Sequence, residues 1–346
     1  VRYRILFLFL LPAALPAQHF QTLFRSGADS VACYRIPALA VAPNGDLLAA
    51  ADRRGPSCGD LHLNPDIDIV LRTSADNGRT WSEIRAVADF PLGQSASDPS
   101  FIVDAETGTI FLFYNFMDLD RAPGEYYFHV IRSTDNGQTW SAPSDITAQI
   151  AQPTWRRDFK FITSGSGIQT RSGDLLHCLV HLQKGVFVFG SNDHGASWYC
   201  LDTPLLPADE SKIVELSNGD WMVNARVNKA GFRSVHSSSD RGLSWTTRAD
   251  SALVDPGCNA GLIQYPVNKN GESILVFSNP NSRDRRTNLS VRISRDGGRS
   301  WTPGKTVYAG SAAYSTLAVL QNGSLGLLFE KDDYAEIVFL AFAIEP

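Results

Sequence analysis

One eight-residue phrase, Ser-x-Asp-x-Gly-x-x-Trp, constrains the fold of this chain more than any other feature. It occurs five times, at Ser74–Trp81, Ser133–Trp140, Ser191–Trp198, Ser238–Trp245 and Ser294–Trp301. The steps from copy to copy, 59, 58, 47 and 56 residues, suggest a propeller or solenoid. In each copy the Ser and Asp oxygens can accept backbone N–H bonds inside a tight turn. The Gly supplies a positive φ, and the Trp is an apolar plug for a neighbouring strand pair. Alternating apolar runs such as Asp68–Arg72 and Leu289–Ile293 flank the copies and read as strands, with the phrase as the turn between them. The repeated Asp residues are therefore structural, and chemistry has to come from elsewhere.

Shorter turn phrases alternate with these boxes, at Pro43–Asp46, Asp104–Gly108, Arg171–Asp174, Ser217–Asp220, Asn268–Gly271 and Gln321–Gly323. Each sits between apolar runs and reads as a hairpin. Six such turns with five boxes predict an all-β chain of six four-stranded antiparallel blades, a six-bladed β-propeller. The sixth blade, over 305–344, has no box and is expected to close with the N-terminal strand.

A hydrophobic content of 43% is ample for one large core, and a formal charge of −5 gives no footprint for nucleic acid. Arg2 and Arg4 precede the apolar run Ile5–Leu11 and the small-residue segment Pro12–Ala17. That is the layout of a secretory signal peptide over 1–17, which predicts a secreted or periplasmic protein whose single domain is 18–346. The run is too short to span a bilayer and no second one follows, so no membrane insertion is expected, and a monomer is. Five cysteines at irregular spacing are no disulfide framework. Cys33 and Cys58 each neighbour a pocket candidate, which leaves open one bridge there or buried free thiols.

Outside the boxes, Arg35, Arg233 and Arg286 each lie near a strand end. In a propeller, equivalent strand ends converge on the axis. Three guanidinium forks converging there would trap a carboxylate. The segment Tyr34-Arg35-Ile36-Pro37, the Asp-boxes themselves and the set described next resemble the exo-α-sialidases across nearly the whole of 18–346. The Asp-box also occurs in non-enzymatic propellers, so it marks a fold rather than an activity.

The resemblance implies that Arg35, Arg233 and Arg286 bind the carboxylate of sialic acid. It adds Arg54, chosen over Arg53 because it precedes the acid candidate by six residues. It makes Asp60 the acid/base rather than Asp66 or Asp68, which look structural. It makes Tyr314 the nucleophile, in Tyr-Ser-Thr-Leu where the family has Tyr-Ser-Asp-Leu. Glu215, on its apolar strand, is preferred over Glu210 as the group that activates the tyrosine. Glu330 would hold the first arginine, and Asp98 would meet the C4 hydroxyl. Met117, Trp155 and Phe159 are candidate walls for the acetamido group.

A tyrosine suits the reaction because the reacting carbon of a sialoside carries a carboxylate, which repels a carboxylate nucleophile but not a phenol. The expected partner is a sialylated glycoconjugate, with no cofactor and no metal. His177 and His181 share one strand face, but further ligands are lacking, so packing is their expected role. There is no His-Glu-x-x-His, no Gly-x-Ser-x-Gly and no phosphate-binding loop.

Overall fold

The computed structural model describes residues 20–28, 31–265 and 274–344. The segment 1–17 read as a signal peptide lies outside them, and so does the turn Asn268–Gly271. Among the described residues no helix is long and apolar enough to cross a membrane, and no group of His, Cys, Asp and Glu is placed to hold a metal.

The fold is all-β. A first sheet pairs Cys33–Val41, Leu47–Arg54, Ile67–Ser74 and Arg85–Ala88 in chain order. A second runs Gln94–Asp104, Thr109–Asp118, Tyr127–Ser133 and Ser144–Asp145, and a third is built on Leu175–His181 and Gly185–Ser191. The fourth is Ser211–Glu215, Trp221–Ala225, Phe232–Ser238 and Thr246–Val254. The remaining strands join in one seven-stranded sheet rather than in two separate blades. The cause is the 15-residue strand Lys305–Val319. Its first part pairs with Thr287–Ser294 and its second with Leu325–Lys331, with no turn between. The outer edge of this sheet is Gln21–Arg25, hydrogen-bonded to Glu336–Phe342.

The boxes fold as their residues dictate. In the first, Ser74 Oγ accepts from the Gly78 amide at 2.9 Å and donates to Asp76 Oδ1 at 2.8 Å, which also accepts from the Thr80 amide at 2.9 Å. Each box seats on the sheet before it. A Cβ on Gly78 would stand 2.2 Å from Phe339, on Gly137 2.2 Å from Leu48, and on Gly195 2.3 Å from Phe111. Gly242 meets Leu201 in the same way, and Gly298 meets Met222. Only glycine allows that approach, and φ is positive at all five. Trp81 lies edge-on to Phe339 at 5.1 Å, and Trp198 edge-on to Phe113 at 5.0 Å. The apolar clusters accordingly mix residues of adjacent sheets, as Leu47 with Phe339 and Leu48 with Leu112.

Candidate active site

In the first, second and fourth sheets the first two strands are joined by a short hairpin at one end, and the site lies at the other. There the first strand begins and the second ends. Arg35 and Arg54 occupy those positions in the first sheet, Asp98 lies at the corresponding register shift within Gln94–Asp104, and Tyr314 and Glu330 lie at the one between Lys305–Val319 and Leu325–Lys331. Three of the first strands carry one extra residue at this point. The register slips between Arg35 and Ala38, between Ser97 and Ser100, and between Ala312 and Ser315. A bulge re-aims the side chain it holds, and these bulges hold Arg35, Asp98 and Tyr314. Ile36 (φ 58°) and Asp98 (φ 62°) pay for the bend in the left-handed region, which a β-branched residue resists.

Glu330 relieves the first strain. Its buried carboxylate accepts from Arg35 Nε at 2.6 Å and from the Ile36 amide at 2.9 Å through one oxygen, and from the Tyr314 amide at 3.0 Å through the other. Asp52 supports the second. It accepts from the Asp98 amide at 2.9 Å, from Ser97 Oγ at 2.6 Å and from Arg54 Nη2 at 2.9 Å.

These groups open into a cavity of about 350 Å³ lined on its polar side by Arg35, Arg54, Asp60, Asp98, Glu210, Arg226, Arg286 and Tyr314. Tyr314 Oη donates to Glu210 Oε2 at 2.8 Å, and Arg226 Nη1 donates to the same oxygen at 2.6 Å. The guanidinium carbons of Arg35 and Arg286 lie 5.7 and 5.3 Å from the Tyr314 ring centre. Burial, then the Glu210 charge, pushes the Tyr314 phenol well above its ordinary range, so it rests as a neutral phenol. Burial raises Glu210 too, against the opposing pull of Arg226. Asp98 is raised well above the usual carboxylate range by burial and by Asp52 beside it.

Asp60 stands at the mouth with its side chain 69% exposed, and Arg54 Nη1 donates to it at 2.8 Å. Burial pushes its carboxyl up, but Arg54 and Arg35 outweigh that and leave it below its ordinary value. Arg54 Nη1 also donates to the carbonyls of Cys58 and Gly59 at 2.9 and 3.2 Å, so one nitrogen organises the loop. A Cys33–Cys58 disulfide ties that loop to the strand carrying Arg35. Cys178, Cys200 and Cys258 are free.

Two expectations are corrected. Glu215 does not reach Tyr314. It ends its strand beside the hairpin, away from the cavity, where it accepts from the Arg171 amide at 2.8 Å. Glu210, just before that strand, is the partner of the phenol. Nor does Arg233 line the cavity. It is fully buried, donating to Asp255 Oδ2 at 2.8 Å, Asn224 Oδ1 at 2.8 Å and the Cys258 carbonyl at 2.9 Å. Asp255 in turn accepts from the Gly257 and Cys258 amides, and the Gly257 carbonyl accepts from Arg286 Nη2 at 2.9 Å. Arg233 thus props the loop that aims Arg286, and Arg226 takes its expected place in the cavity beside Arg35 and Arg286.

The apolar side of the cavity is Leu61, Tyr126, Phe159, Phe161 and Leu182. Of the expected walls only Phe159 is among the lining residues. Met117 packs behind Leu61 and Tyr126, and Trp155 packs on His181 and Phe187. His177 bonds Ser100 Oγ at 2.9 Å and His181 bonds Asp158 at 2.9 Å, both within packed surroundings.

Boxed hairpins seated sheet upon sheet define a BNR-repeat protein. The BNR repeat-like domain is matched over residues 45–327, and the chain belongs to that family. Its relatives there are sialidases. It is 36% identical to a sialidase of Micromonospora viridifaciens over 92% of this chain and 53% of that one. It is 32% identical to a sialidase of Bacteroides fragilis over 92% of this chain and 64% of the other. The chain thus spans between half and two thirds of these relatives' length. Among solved structures, Hadza microbial sialidase Hz136 superposes with a TM-score of 0.84 at 29% identity, over 94% of this chain and 68% of that one.

Proposed function

We propose that this chain is an exo-α-sialidase that releases terminal α-linked sialic acid from glycoconjugates with retention. The observation that carries the reading is Tyr314 Oη donating to Glu210 at 2.8 Å in a cavity that also holds Arg35, Arg226 and Arg286. Pure binding has no use for a phenol paired to a buried carboxylate.

The three arginines hold the substrate carboxylate, and Arg54 and Asp98 face its hydroxyls. Glu210 takes the phenolic proton as Tyr314 Oη attacks the anomeric carbon. The bond to the leaving oxygen breaks, and Asp60 protonates that oxygen. Water then attacks the anomeric carbon from the face the leaving group vacated, opposite Tyr314, giving its proton to Asp60, and the phenol recovers its proton from Glu210 as the tyrosyl–sugar bond breaks. Two inversions give net retention. In the free protein the arginines keep Asp60 ionised. A bound substrate carboxylate offsets their charge and shields Asp60 from water, and both changes raise its pKa toward that of an acid.

The scaffold reading is a six-bladed propeller over 18–346. Dividing the strand Lys305–Val319 at its change of partner leaves four strands on either side. The first box on Phe339 of the last sheet then closes the ring. With 1–17 as an export signal, the protein acts outside the cytoplasm as a monomer.

The test is hydrolysis of a fluorogenic sialoside by wild type and Tyr314→Phe, with proton NMR of the earliest product. Turnover by wild type, its loss in the variant and α-sialic acid appearing first support the reading. β-Sialic acid ahead of mutarotation would refute the covalent route.

A further inference from the structure

Beneath the Tyr314–Glu210 pair the core holds a charge that the mechanism above does not use. Lys212 lies two residues beyond Glu210, whose carbonyl accepts from the Arg226 amide at 2.9 Å and continues the ladder of Ser211–Glu215 by one residue, so alternation along it directs both side chains to one face. It is buried, and its Nζ donates to Asn259 Oδ1 at 2.7 Å, while Asn259 Nδ2 donates to Ser164 Oγ at 2.8 Å. Among the described residues no carboxylate forms an ion pair with this ammonium. Three sheets close around it. A Cβ on Gly165 would stand 3.1 Å from Lys212 Cε and 3.7 Å from Thr316 Oγ1, so the glycine makes room for the lysine.

A buried ammonium with one neutral partner is costly unless its field has a use. The charged or titratable groups facing it are Glu210 just before its own strand, Cys178 and His177 on Leu175–His181, and Arg233 on Phe232–Ser238. Burial holds the Cys178 thiol up at about 12 and the His177 imidazole down at about 3, so both are neutral near pH 7. Arg233 has Asp255 as its counter-ion. Glu210 is the one acid left to feel Lys212. Burial pulls Lys212 down to about 8, with Glu210 opposing, so it stays charged near neutral pH.

We propose that Lys212 is a positioning residue for the nucleophile pair, a buried cation that keeps Glu210 ionised and able to accept the Tyr314 proton. The inference rests on the roles assigned above to Tyr314 and Glu210. Arg226 cannot serve alone, because it lines the cavity and its charge is shared with an incoming substrate carboxylate. Asp209 beside Glu210 opposes ionisation as well. Lys212 does not line the cavity, so an incoming substrate carboxylate does not share its charge.

Two variants test this from opposite directions. Lys212→Met removes the charge at similar volume, and Asn259→Asp supplies it with a counter-ion. In both, the acid limb of the kcat–pH profile moves to higher pH, and kcat on that limb falls about tenfold, the scale of one charge acting across several ångströms of protein. KM changes by less than about twofold, since no substrate contact is altered. Near-UV circular dichroism establishes the fold of each, and either variant suffices if the other does not fold. A wild-type profile in a folded variant, with Tyr314→Phe inactive, overturns the role of Lys212 alone. Full activity in Tyr314→Phe overturns the reading of the site and this inference with it.

Discussion

Glu330→Gln is the most informative single substitution at the site, because it keeps the shape and changes only what the oxygens can accept. Two carboxylate oxygens receive three donors, Arg35 Nε at 2.6 Å, the Ile36 amide at 2.9 Å and the Tyr314 amide at 3.0 Å. An amide has one carbonyl oxygen. If that oxygen serves Arg35 and Ile36, the new NH2 faces the Tyr314 amide, donor against donor. If it serves Tyr314, the NH2 faces a guanidinium and the strained Ile36. Either way Arg35, with only 12% of its side chain exposed, loses its ionised partner. Removing one member of a buried pair costs ~3–5 kcal/mol. Urea unfolding should show that loss as a lower midpoint at unchanged m-value. Because both Arg35 and Tyr314 hang on this carboxylate, kcat/KM for a sialoside should fall by at least about a hundredfold, which is ~2.7 kcal/mol of transition-state stabilisation. A variant within ~0.5 kcal/mol of wild type, with unchanged kcat/KM, would refute the claim that Glu330 sets the geometry of both.

Other outcomes follow from the same structure. Arg226→Ala should raise KM for a sialoside about ten- to a hundredfold through loss of a charge-assisted contact, whereas Arg233→Ala should lower stability by ~3–5 kcal/mol by stranding Asp255. Michaelis analysis beside urea unfolding separates the two, and the reverse pattern would return Arg233 to the cavity. Replacing Cys33 and Cys58 by Ser should cost ~3.5 kcal/mol on the loop-entropy model for a separation of 25 residues. It should also lower kcat as the Asp60 loop loosens, and an unchanged kcat in the folded double variant would free the acid from the bridge. Asp76, Asp135 and Asp240 are held at about 2 by the hydroxyl and backbone donors of their own boxes. Their folded pKa lies below the unfolded value near 3.9. Their contribution is therefore complete above about pH 4 and disappears as pH falls toward 2. Denaturation midpoints measured across that window should drop for wild type and drop less steeply for Asp76→Asn, the other boxes keeping their share.

Local motifs were legible and distances were not. The boxes declare themselves because turn, glycine and tryptophan lie within eight residues, and Tyr34-Arg35-Ile36-Pro37 is equally compact. Arg35, Arg54, Asp60, Asp98, Arg286, Tyr314 and Glu330 all come together at one cavity or directly behind it. Glu215 and Arg233 misled because each was weighed by its place on a strand or its spacing to a box. The stronger signal was which end of the hairpin a residue occupies. Ser217–Asp220 turns the chain right after Glu215, so Glu215 belongs to the hairpin end. Glu210 and Arg226 flank the far ends of the same two strands, as Arg35 and Arg54 do in the first sheet. The bulges at Ile36 and Asp98 left little trace beyond Pro37 and Pro99, and the tie from Arg233 through Asp255 to Arg286 runs across loops that no periodicity marks.

The pairing of Gln21–Arg25 with Glu336–Phe342 sets a schedule for the chain as it is made. Phe24 is fully enclosed in the finished sheet, yet its partner Ile337 is synthesised some three hundred residues later. At ~5–20 residues per second that is a wait of at least about fifteen seconds with an unpaired apolar edge. Until then Leu23 and Phe24 lack the part of their cover that the last strand supplies, and the first box lacks Phe339 as its seat. Such a strand is a template for the wrong neighbour. The seven-stranded sheet therefore gains its first-made and last-made strands together, when Glu336–Phe342 emerges.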